Sequence, residues 1–299
     1  MDKLDAMQTF VRVAEAGSFT AVADHLQVDR SAITRQISAL EKHLAAKLIT
    51  RSTRSLTLTP AGAAYLEKCR LILNLVDATE TGLREEGTHV RGRIRMAIPL
   101  SFGHARLLPL LLEFMRLQPH LELLLTLSDQ RSNLIEEGLD LAIRVTADLH
   151  SSDIVRKLGA CHLQTVASPA YLSQHGTPAH PDDLRHHECL LYTSSSTAAQ
   201  WTYRIDGQIK NVAVRGRLAA NNGLALLAAN AAGMGISVQP DFLAEPFLAS
   251  TAVVEILAEF KPPALGIYAV LPSNRYIPHR VAVLMDFLAQ ALQISGSAQ

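Results

Sequence analysis

The stretch Asp29–Leu44, "DRSAITRQISALEKHL", predicts an amphipathic helix on which the fold of the N-terminal part depends. Its apolar residues recur at helical spacing and form one buried face: Ile33, Ile37, Leu40 and Leu44. Asp29 is well suited to cap this helix. Five polar residues lie on the other side, near the N-terminal end: Arg30, Ser31, Thr34, Arg35 and Ser38. Hydroxyls and arginines in that position suit base-edge and phosphate contacts in a DNA major groove, so we predict these five as DNA-binding residues.

Two shorter helices are predicted before this one. Residues 2–16 have apolar side chains at helical spacing, and Gly17 ends that pattern. Ser18 is a good N-cap for a second helix, Phe19–Leu26, and Gln27–Asp29 then breaks the chain. The order of the elements therefore predicts a helix-turn-helix, with Asp29–Leu44 as its second, DNA-contacting helix.

A basic β-hairpin is expected after Leu44, because the apolar pattern changes there toward a period of two. Arg51, Thr53 and Arg54 lie at its expected tip and could reach the DNA backbone or minor groove. Residues 30–54 carry six Lys and Arg against a single acid, Glu41, in a chain of zero formal net charge. A short helical motif with surface arginines is not specific alone, but the ordered series ending in a basic wing favours DNA binding.

A long helix is predicted from Thr59-Pro60, a cap followed by proline at the first helical position, to about Leu83. Its apolar residues repeat at heptad spacing: Tyr65, Ile72 and Thr79, then Cys69, Val76 and Leu83, widened by Leu66 and Leu73. This seam predicts a coiled coil between two copies of the chain. The alternative is that the helix packs only on its own chain.

The region 10–62 resembles the DNA-binding region of LysR-type transcription regulators, through "FVRVAEAGSFTAVADHL", "SAITRQISALEKHL" and "LITRSTRSLTLTPAG". By this resemblance, Arg30, Ser31, Thr34 and Arg35 occupy recognition-helix positions, and Arg51 and Arg54 belong to the wing. Ile49 departs from the family's usual phenylalanine, which should alter wing packing rather than function. The resemblance implies double-stranded DNA as a partner and a homotetramer built from two dimers. The two-fold homodimer predicted from the long helix should read two half-sites, so we expect an imperfect inverted-repeat operator.

Beyond a polar hinge, Glu85–Arg93, strands and helices alternate, which predicts a mainly parallel sheet with helices on both faces. The dipeptide Asp206-Gly207 between apolar runs predicts a hairpin. The predicted strands are Ile94–Pro99, Leu121–Ser128, Leu139–Val145, Ile236–Val238 and Gly266–Leu271. The predicted helices are Gly103–Leu117, Ser132–Gly138, Gly223–Ala232 and Arg280–Leu292.

This half also resembles the LysR type, through "LIEEGLDLAIR" at 134–144, "SPAYL" at 168–172 and "NNGLALLAANAAGMGISVQP" at 221–240. The fold class implied is α/β with an N-terminal, mainly helical winged helix-turn-helix. The C-terminal domain would resemble a type 2 periplasmic binding protein of two α/β subdomains. We predict a DNA-binding domain at 1–58, a linker and dimerisation helix with hinge at 59–90, and a regulatory domain at 91–299. Its subdomain I would comprise 91–165 and 268–299, and subdomain II 166–267.

A small-molecule effector is expected between the two subdomains, since ligands of open α/β sheets bind beyond the carboxyl ends of strands. The candidate effector-binding residues are Ser101, Phe102, Ser128, Arg144, Trp201, Asn221 and Asn222. Ser101 at a helix start and Arg144 with its charge favour an organic anion. Simpler roles stay open: Ser101 and Asn222 as caps only, Arg144 in a surface ion pair, Phe102 and Trp201 in a core.

Other patterns favour no catalytic or metal site and no cofactor. The histidines and acids at 175–189 lack metal-ligand spacing on one helix face. Gly233-Met234-Gly235 indicates a helix-to-strand turn rather than a dinucleotide fingerprint, and motifs of hydrolases, metalloproteases and P-loop proteins are missing from the sequence. We therefore expect a regulator rather than an enzyme. A solute-binding or enzymatic α/β protein with a helical appendage is the alternative.

The remaining expectations concern location and cysteines. The apolar runs are too short for a membrane span, and the N-terminus does not resemble a signal peptide, so we expect a cytoplasmic protein without membrane contact. Cys69, Cys161 and Cys189 are expected to be buried apolar side chains, with a redox role of the latter two left open.

Overall fold

The computed structural model describes residues 2–51, 56–83, 90–149, 153–193, 199–272 and 277–296. The chain divides into two compact units, Met1–Thr88 and His89–Gln299. The first is mainly helical, and the second is built from strands and helices.

The N-terminal unit contains the predicted helix-turn-helix, as α1 (Lys3–Ala16), α2 (Phe19–Leu26) and α3 (Arg30–Leu44). The hydroxyl of Ser18 caps α2 by accepting a hydrogen bond from the amide of Ala21 at 3.2 Å. The prediction that the Asp29 side chain caps α3 is wrong, since that side chain makes no capping hydrogen bond. The amide of Ala32 instead bonds to the backbone carbonyl of Asp29 at 2.8 Å.

The wing is a two-stranded antiparallel ladder of β1 (Ile49–Arg51) and β2 (Leu56–Leu58), in which Arg51 pairs with Leu56. The hydroxyl of Thr59 then ties the wing to the next helix. It donates to the carbonyl of Lys47 at 2.6 Å and accepts from the amide of Gly62 at 2.9 Å. Gly62 is required here because a Cβ would overlap the carbonyl oxygen of Leu48.

The long helix α4 (Pro60–Leu83) has the predicted length, but its apolar side divides into two parts. Leu66 and Cys69 are buried in the core of their own unit, and the ring of Tyr65 lies 5.5 Å from that of Phe10. This part of the predicted seam therefore packs on its own chain. Farther along, Ile72 is 38% exposed and Leu75 52% exposed. The side chains of Thr79 and Leu83 lie outside the described residues.

The second unit contains a five-stranded sheet of order β4-β3-β5-β14-β6 and a three-stranded sheet of order β12-β7-β13. A hairpin, β9–β10, turns at Asp206 and Gly207, both with positive φ, as predicted. The strands are β3 (Gly92–Ile98), β4 (Leu121–Leu127), β5 (Leu141–Thr146), β6 (Ile154–Cys161), β7 (Leu163–Ala167), β8 (Leu191–Tyr192), β9 (Gln200–Ile205), β10 (Gln208–Ala213), β11 (Ala219–Ala220), β12 (Ile236–Pro240), β13 (Val254–Ile256) and β14 (Leu265–Leu271).

The helices of this unit include one that the sequence predicted as continuous. It consists of α5 (Leu100–Phe102), a π-helical turn (Gly103–Leu107) and α6 (Leu108–Leu117). The other helices are α7 (Pro169–His175), a 3-10 helix (Pro181–His186), α8 (Gly223–Ala231), α9 (Asp241–Ala249) and α10 (His279–Gly296).

Two features of the predicted sheet architecture are corrected. The segment Ser132–Gly138 is not a helix but a series of turns over Leu134–Gly138, where Gly138 has φ 61° and ends the segment. The sheet is parallel only for β3, β4 and β5, because β14 pairs antiparallel with both β5 and β6. Both pairings in the three-stranded sheet are antiparallel.

The five-stranded sheet and the three-stranded sheet of the second unit share one large apolar core. Phe242 and Leu243 on α9 belong to the same buried cluster as Ile98, the last residue of β3, and Phe102, on the helix after it. The rings of Phe102 and Phe242 meet edge to face at 5.1 Å. Residues near the end of β3 are therefore held against the elements that accompany the three-stranded sheet.

Candidate DNA-binding surface and effector site

The polar side of α3 is available for contact. Arg30, Ser31, Arg35 and Ser38 are exposed and Thr34 is half-buried, while Ile33, Ile37 and Leu40 on the opposite side are buried. Within the described part of the chain, these five polar side chains form no hydrogen bond or ion pair. Among the described residues, the hydroxyl and guanidinium groups on this side of α3 therefore have no hydrogen-bond partner and are open to a ligand.

The wing is only partly described. Ile49 is buried in the N-terminal core, so an aliphatic side chain fills the position where the family usually has phenylalanine. The backbone of Arg51 closes the β1–β2 ladder. The side chain of Arg51, and Thr53 and Arg54 entirely, lie outside the described residues.

Glu41, which sequence reasoning did not select, joins α3 to the wing. Its buried carboxylate accepts from the amide of Leu48 at 2.9 Å, the amide of Ile49 at 3.2 Å and the ammonium of Lys47 at 2.8 Å. Burial acts to raise the pKa of Glu41, but these hydrogen bonds outweigh it and the pKa is lowered. The available signal was its position as the single acid within a basic block.

Ser101 and Asn222 are brought together across the second unit. The side-chain amide of Asn222 donates to the hydroxyl oxygen of Ser101 at 3.3 Å and to the carboxylate of Asp129 at 3.2 Å. Its carbonyl oxygen caps α8 by accepting from the amide of Ala225 at 3.2 Å. Both capping by Asn222 and contact with Ser101 are thus present. We call Ser101, Asp129 and Asn222 the polar corner.

Asp129 is the second residue that sequence reasoning missed. It follows β4, and its carboxylate accepts from the amide of Leu100 at 2.9 Å, at the start of the helix after β3. The helix start at which we expected a ligand anion therefore already has a carboxylate of the chain itself. The neighbouring Ser128 uses its hydroxyl to accept from the amide of Gln130, and Asn221 is exposed directly before the corner.

Arg144 belongs to a different group of side chains. Its guanidinium bonds to the carboxylate of Asp153 at 2.8 Å, and Arg131 bonds to the same oxygen at 2.9 Å. Burial and the nearby Arg131 lower the pKa of Arg144, and Asp153 only partly offsets them. No hydrogen bond or ion pair among the described residues joins this group to Ser101 or Asn222. The ion-pair role that was left open for Arg144 is thus present.

Phe102 and Trp201 lie in cores. Phe102 is 3% exposed and packs on Phe242. Trp201, on the β9–β10 hairpin, is 9% exposed. It belongs to a separate apolar cluster that includes Tyr171 on α7 and Tyr203 on β9. Both aromatic side chains therefore have the core-packing role that was left open for them.

The histidine-rich segment at 175–189 is part of the folded framework. His187 is buried, and its Nδ1 lies 3.2 Å from the hydroxyl of Tyr171, which also accepts from the amide of Glu188 at 2.9 Å. The ring of His175 stacks on Tyr171 at 4.4 Å. Burial is the main cause that lowers the pKa of His187. Within the described ranges, the His, Cys, Asp and Glu side chains form no group of three able to hold a metal ion.

All three cysteines are buried thiols. Burial raises the pKa of Cys69 to about 11 and that of Cys189 to about 12, and it also raises the pKa of Cys161. Since the thiolate is the reactive form, none of them is activated as a nucleophile at neutral pH.

Comparison with known proteins places both units in one family. Residues 4–63 match the family described as "Bacterial regulatory helix-turn-helix protein, lysR family", and residues 87–293 match "LysR substrate binding domain". The chain belongs to the LysR family of transcription regulators. Proteins of this kind are transcription regulators and not enzymes. The chain is accordingly a DNA-binding regulator with an effector-binding regulatory domain, and it has the predicted fold class.

Individual relatives extend over nearly the whole chain. An uncharacterized HTH-type transcriptional regulator of Haemophilus influenzae is 34% identical over 281 residues, 94% of this chain and 98% of the relative. The structure of CrgA, a LysR-type regulator from Neisseria meningitidis, is 31% identical with a TM-score of 0.61, covering 96% and 98% of the two chains. Full-length AphB, a Vibrio cholerae virulence activator, is 30% identical with a TM-score of 0.58, covering 96% and 99%.

One further observation concerns membranes. Among the helices of the described residues, none combines the length and apolar character that a membrane span needs.

Proposed function

We propose that this LysR-family regulator reads its operator with the exposed side of α3 and contacts the DNA backbone with the wing. This proposal depends on one observation: among the described residues, the side chains of Arg30, Ser31, Thr34, Arg35 and Ser38 have no partner, and they lie opposite the buried Ile33, Ile37 and Leu40. Base readout needs such uncommitted donors and acceptors, whereas wing arginines serve phosphate or minor-groove contacts. The domain division at 1–58, 59–90 and 91–299 is part of the proposal.

Two classes of variant test these roles. Thr34→Ala or Arg30→Ala should change the preference between operators, with losses of about 1–3 kcal/mol at a contacted base. Arg51→Ala or Arg54→Ala should weaken binding on all sequences alike and reduce its salt dependence, because phosphate contacts release counterions. Arg12→Ala, an exposed arginine on α1, is the matched control. Fluorescence anisotropy at several salt concentrations would contradict the assignment if both classes behaved alike.

We propose a homodimer through the exposed part of α4, reading an imperfect inverted repeat. Support comes from Ile72 and Leu75, which leave apolar surface open on a helix already anchored by its first turns. Replacing Ile72 and Val76 with glutamate should release monomers, whereas Lys68→Glu, an exposed charge reversal on the same helix, should not. If sedimentation shows an unchanged dimer in the double variant, the exposed part of α4 is not the dimer interface.

We further propose that dimers pair into a homotetramer, as the family resemblance implies. A tetramer needs a second contact surface, and α6 with the edge strand β4 offers one. Leu112 on α6 is 48% exposed, and Leu124 on β4 is 54% exposed. Leu112→Glu together with Leu124→Glu should then yield dimers that still bind a single half-site pair, and a persisting tetramer would contradict this.

We propose that the effector is a small organic anion bound between subdomain I (91–165 and 268–299) and subdomain II (166–267). Ser101, Ser128, Asn221 and Asn222 would line the site. Arg144 supports an anion because it and Arg131 share one carboxylate, which leaves a surplus positive charge. A charge-assisted hydrogen bond contributes about 1.5–3 kcal/mol, so Arg144→Ala should lower affinity about 10- to 100-fold.

Calorimetry and thermal-shift screening with small organic acids test this site, since a bound ligand raises apparent stability by mass action. Arg156 lies on β6 of the same sheet and forms an ion pair with Asp286 on α10. Arg156→Ala is therefore the matched control, because it also removes an arginine and its ion pair. Unchanged affinity in Arg144→Ala would mean that Arg144 serves only its pair with Asp153. Effector-free DNA binding should survive in both variants.

A further inference from the structure

We infer that the polar corner accepts a hydrogen-bond donor of the effector, so that the effector is an organic acid that also carries a hydroxyl, ammonium or amide N–H group. This inference rests on the proposed effector site and narrows its chemistry. A plain carboxylic acid would satisfy the proposed function but not the polar corner.

The hydrogen bonds of Asn222 show which groups in the corner act as acceptors. Its carbonyl oxygen is committed to the amide of Ala225, so its NH2 group is what faces the other two side chains. An NH2 group only donates, and therefore Ser101 Oγ and Asp129 Oδ2 both accept. The Ser101 hydroxyl keeps its own O–H donor, whereas the Asp129 carboxylate can only accept. A ligand group that shares or replaces the bond to Asp129 must therefore itself be a donor.

The charge of the corner points the same way. Asp129 carries a carboxylate whose other oxygen is held by the amide of Leu100, which fixes its position. A carboxylate of the effector placed in the corner could accept from Asn222 and from the Ser101 hydroxyl, but it would meet the like charge of Asp129 at short range.

The cationic groups are Arg131, farther along the same loop, and Arg144 on β5. Arg131 is two residues beyond Asp129, is partly exposed, and shares Asp153 with Arg144. The loop after β4 thus offers an acceptor first and a surplus cation next. Opposite signs two residues apart fit a ligand that has a donor at one end and an acidic group at the other.

Matched sets of ligands test the inference on the full-length chain. Each set is a carboxylic acid, its 2-hydroxy derivative and its 2-amino derivative on one carbon skeleton, with short aliphatic and aromatic skeletons. Thermal shift and calorimetry are run at constant ionic strength. In at least one set, the donor-bearing members should bind about 10- to 100-fold more tightly than the unsubstituted acid.

Asp129→Asn assigns this preference to the corner. The amide oxygen of the new side chain can still accept from Leu100, but its NH2 group would face that of Asn222, so the preference should disappear. Asp148→Asn, a substitution at an exposed carboxylate in the same sheet's loops, should leave it unchanged. Should Asp129→Asn fail to fold, Ser101→Ala removes the other acceptor and should reduce the preference.

The outcomes separate this inference from the proposed function. If an unsubstituted acid binds as tightly as its derivatives and Arg144→Ala weakens it, the proposed site stands and the donor requirement is overturned. A preference that persists in both Asp129→Asn and Ser101→Ala also overturns it. If no set produces a donor preference, the inference is wrong. If no organic acid of any kind binds, the proposed organic-anion effector is wrong as well.

Discussion

Glu41 provides a sharp test of how the N-terminal unit holds its wing. Glu41→Ala removes the acceptor of two buried amides, those of Leu48 and Ile49. Each buried amide left without a partner costs about 1–3 kcal/mol, so the pair amounts to about 2–6 kcal/mol. The contact with Lys47 adds at most about 1 kcal/mol, because that ammonium is largely exposed. Glu41→Gln keeps an acceptor and should cost about 1–2 kcal/mol.

Hydrogen exchange of the full-length chain measures this effect where it arises. The amides of Leu48 and Ile49 should lose protection in Glu41→Ala, and urea unfolding of the N-terminal unit should shift by the stated energy. Asp24→Ala, an exposed acid on α2, is the control. Unchanged protection of both amides would refute the anchoring role of Glu41.

The same carboxylate sets a pH dependence. The pKa of Glu41 lies below its ordinary value of 4.5 in the folded chain. Its stabilisation is therefore fully present above pH 4.5 and is lost as the pH falls through the lowered folded pKa. In Glu41→Gln, the free energy of unfolding should not show this part of the decrease at acidic pH.

Three further predictions concern buried side chains. The pKa of His187 is lowered in the folded chain, so its stabilisation is fully present above about pH 6.5 and is lost as the pH falls through the folded pKa. In His187→Asn, the midpoint of thermal unfolding should vary less with pH over that window. Asn230→Ala should destabilise the chain by about 2–4 kcal/mol in denaturant unfolding, because Asn230 donates to the buried carbonyls of Val166 and Gly235 and accepts from Ser237. The cysteines should react with a thiol reagent only as fast as the chain unfolds, and rapid labelling of native protein would contradict their burial.

The sequence was most informative where local rules decide the structure. The periodicity of α1 to α3, the Thr59-Pro60 helix start and the Asp206-Gly207 turn each depend on nearby residues, and the structure has all of them. The capping role of Asp29 failed because the backbone carbonyl competes for the same amide. Local patterns cannot resolve such competition.

The candidate site was harder to predict because it depends on distant residues. Asp129 and Asn222 are far apart in the sequence, and only the fold brings them to Ser101. Arg144 has the charge expected of an anchor, but Asp153, whose position depends on the return of the chain to β6, already pairs with it. Trp201 was an aromatic candidate whose burial likewise depends on tertiary packing.

The position of β14 has a consequence for synthesis of the protein. This strand, Leu265–Leu271, lies between β5 and β6, although the ribosome makes it more than one hundred residues after both. At about 5–20 residues per second, the place between β5 and β6 stays empty for on the order of ten seconds, with two strand edges unpaired. The N-terminal unit, complete by Thr88, needs no such late segment. A nascent chain should therefore possess a folded DNA-binding unit well before it has a sensor, and this interval is when we expect it to depend most on chaperones.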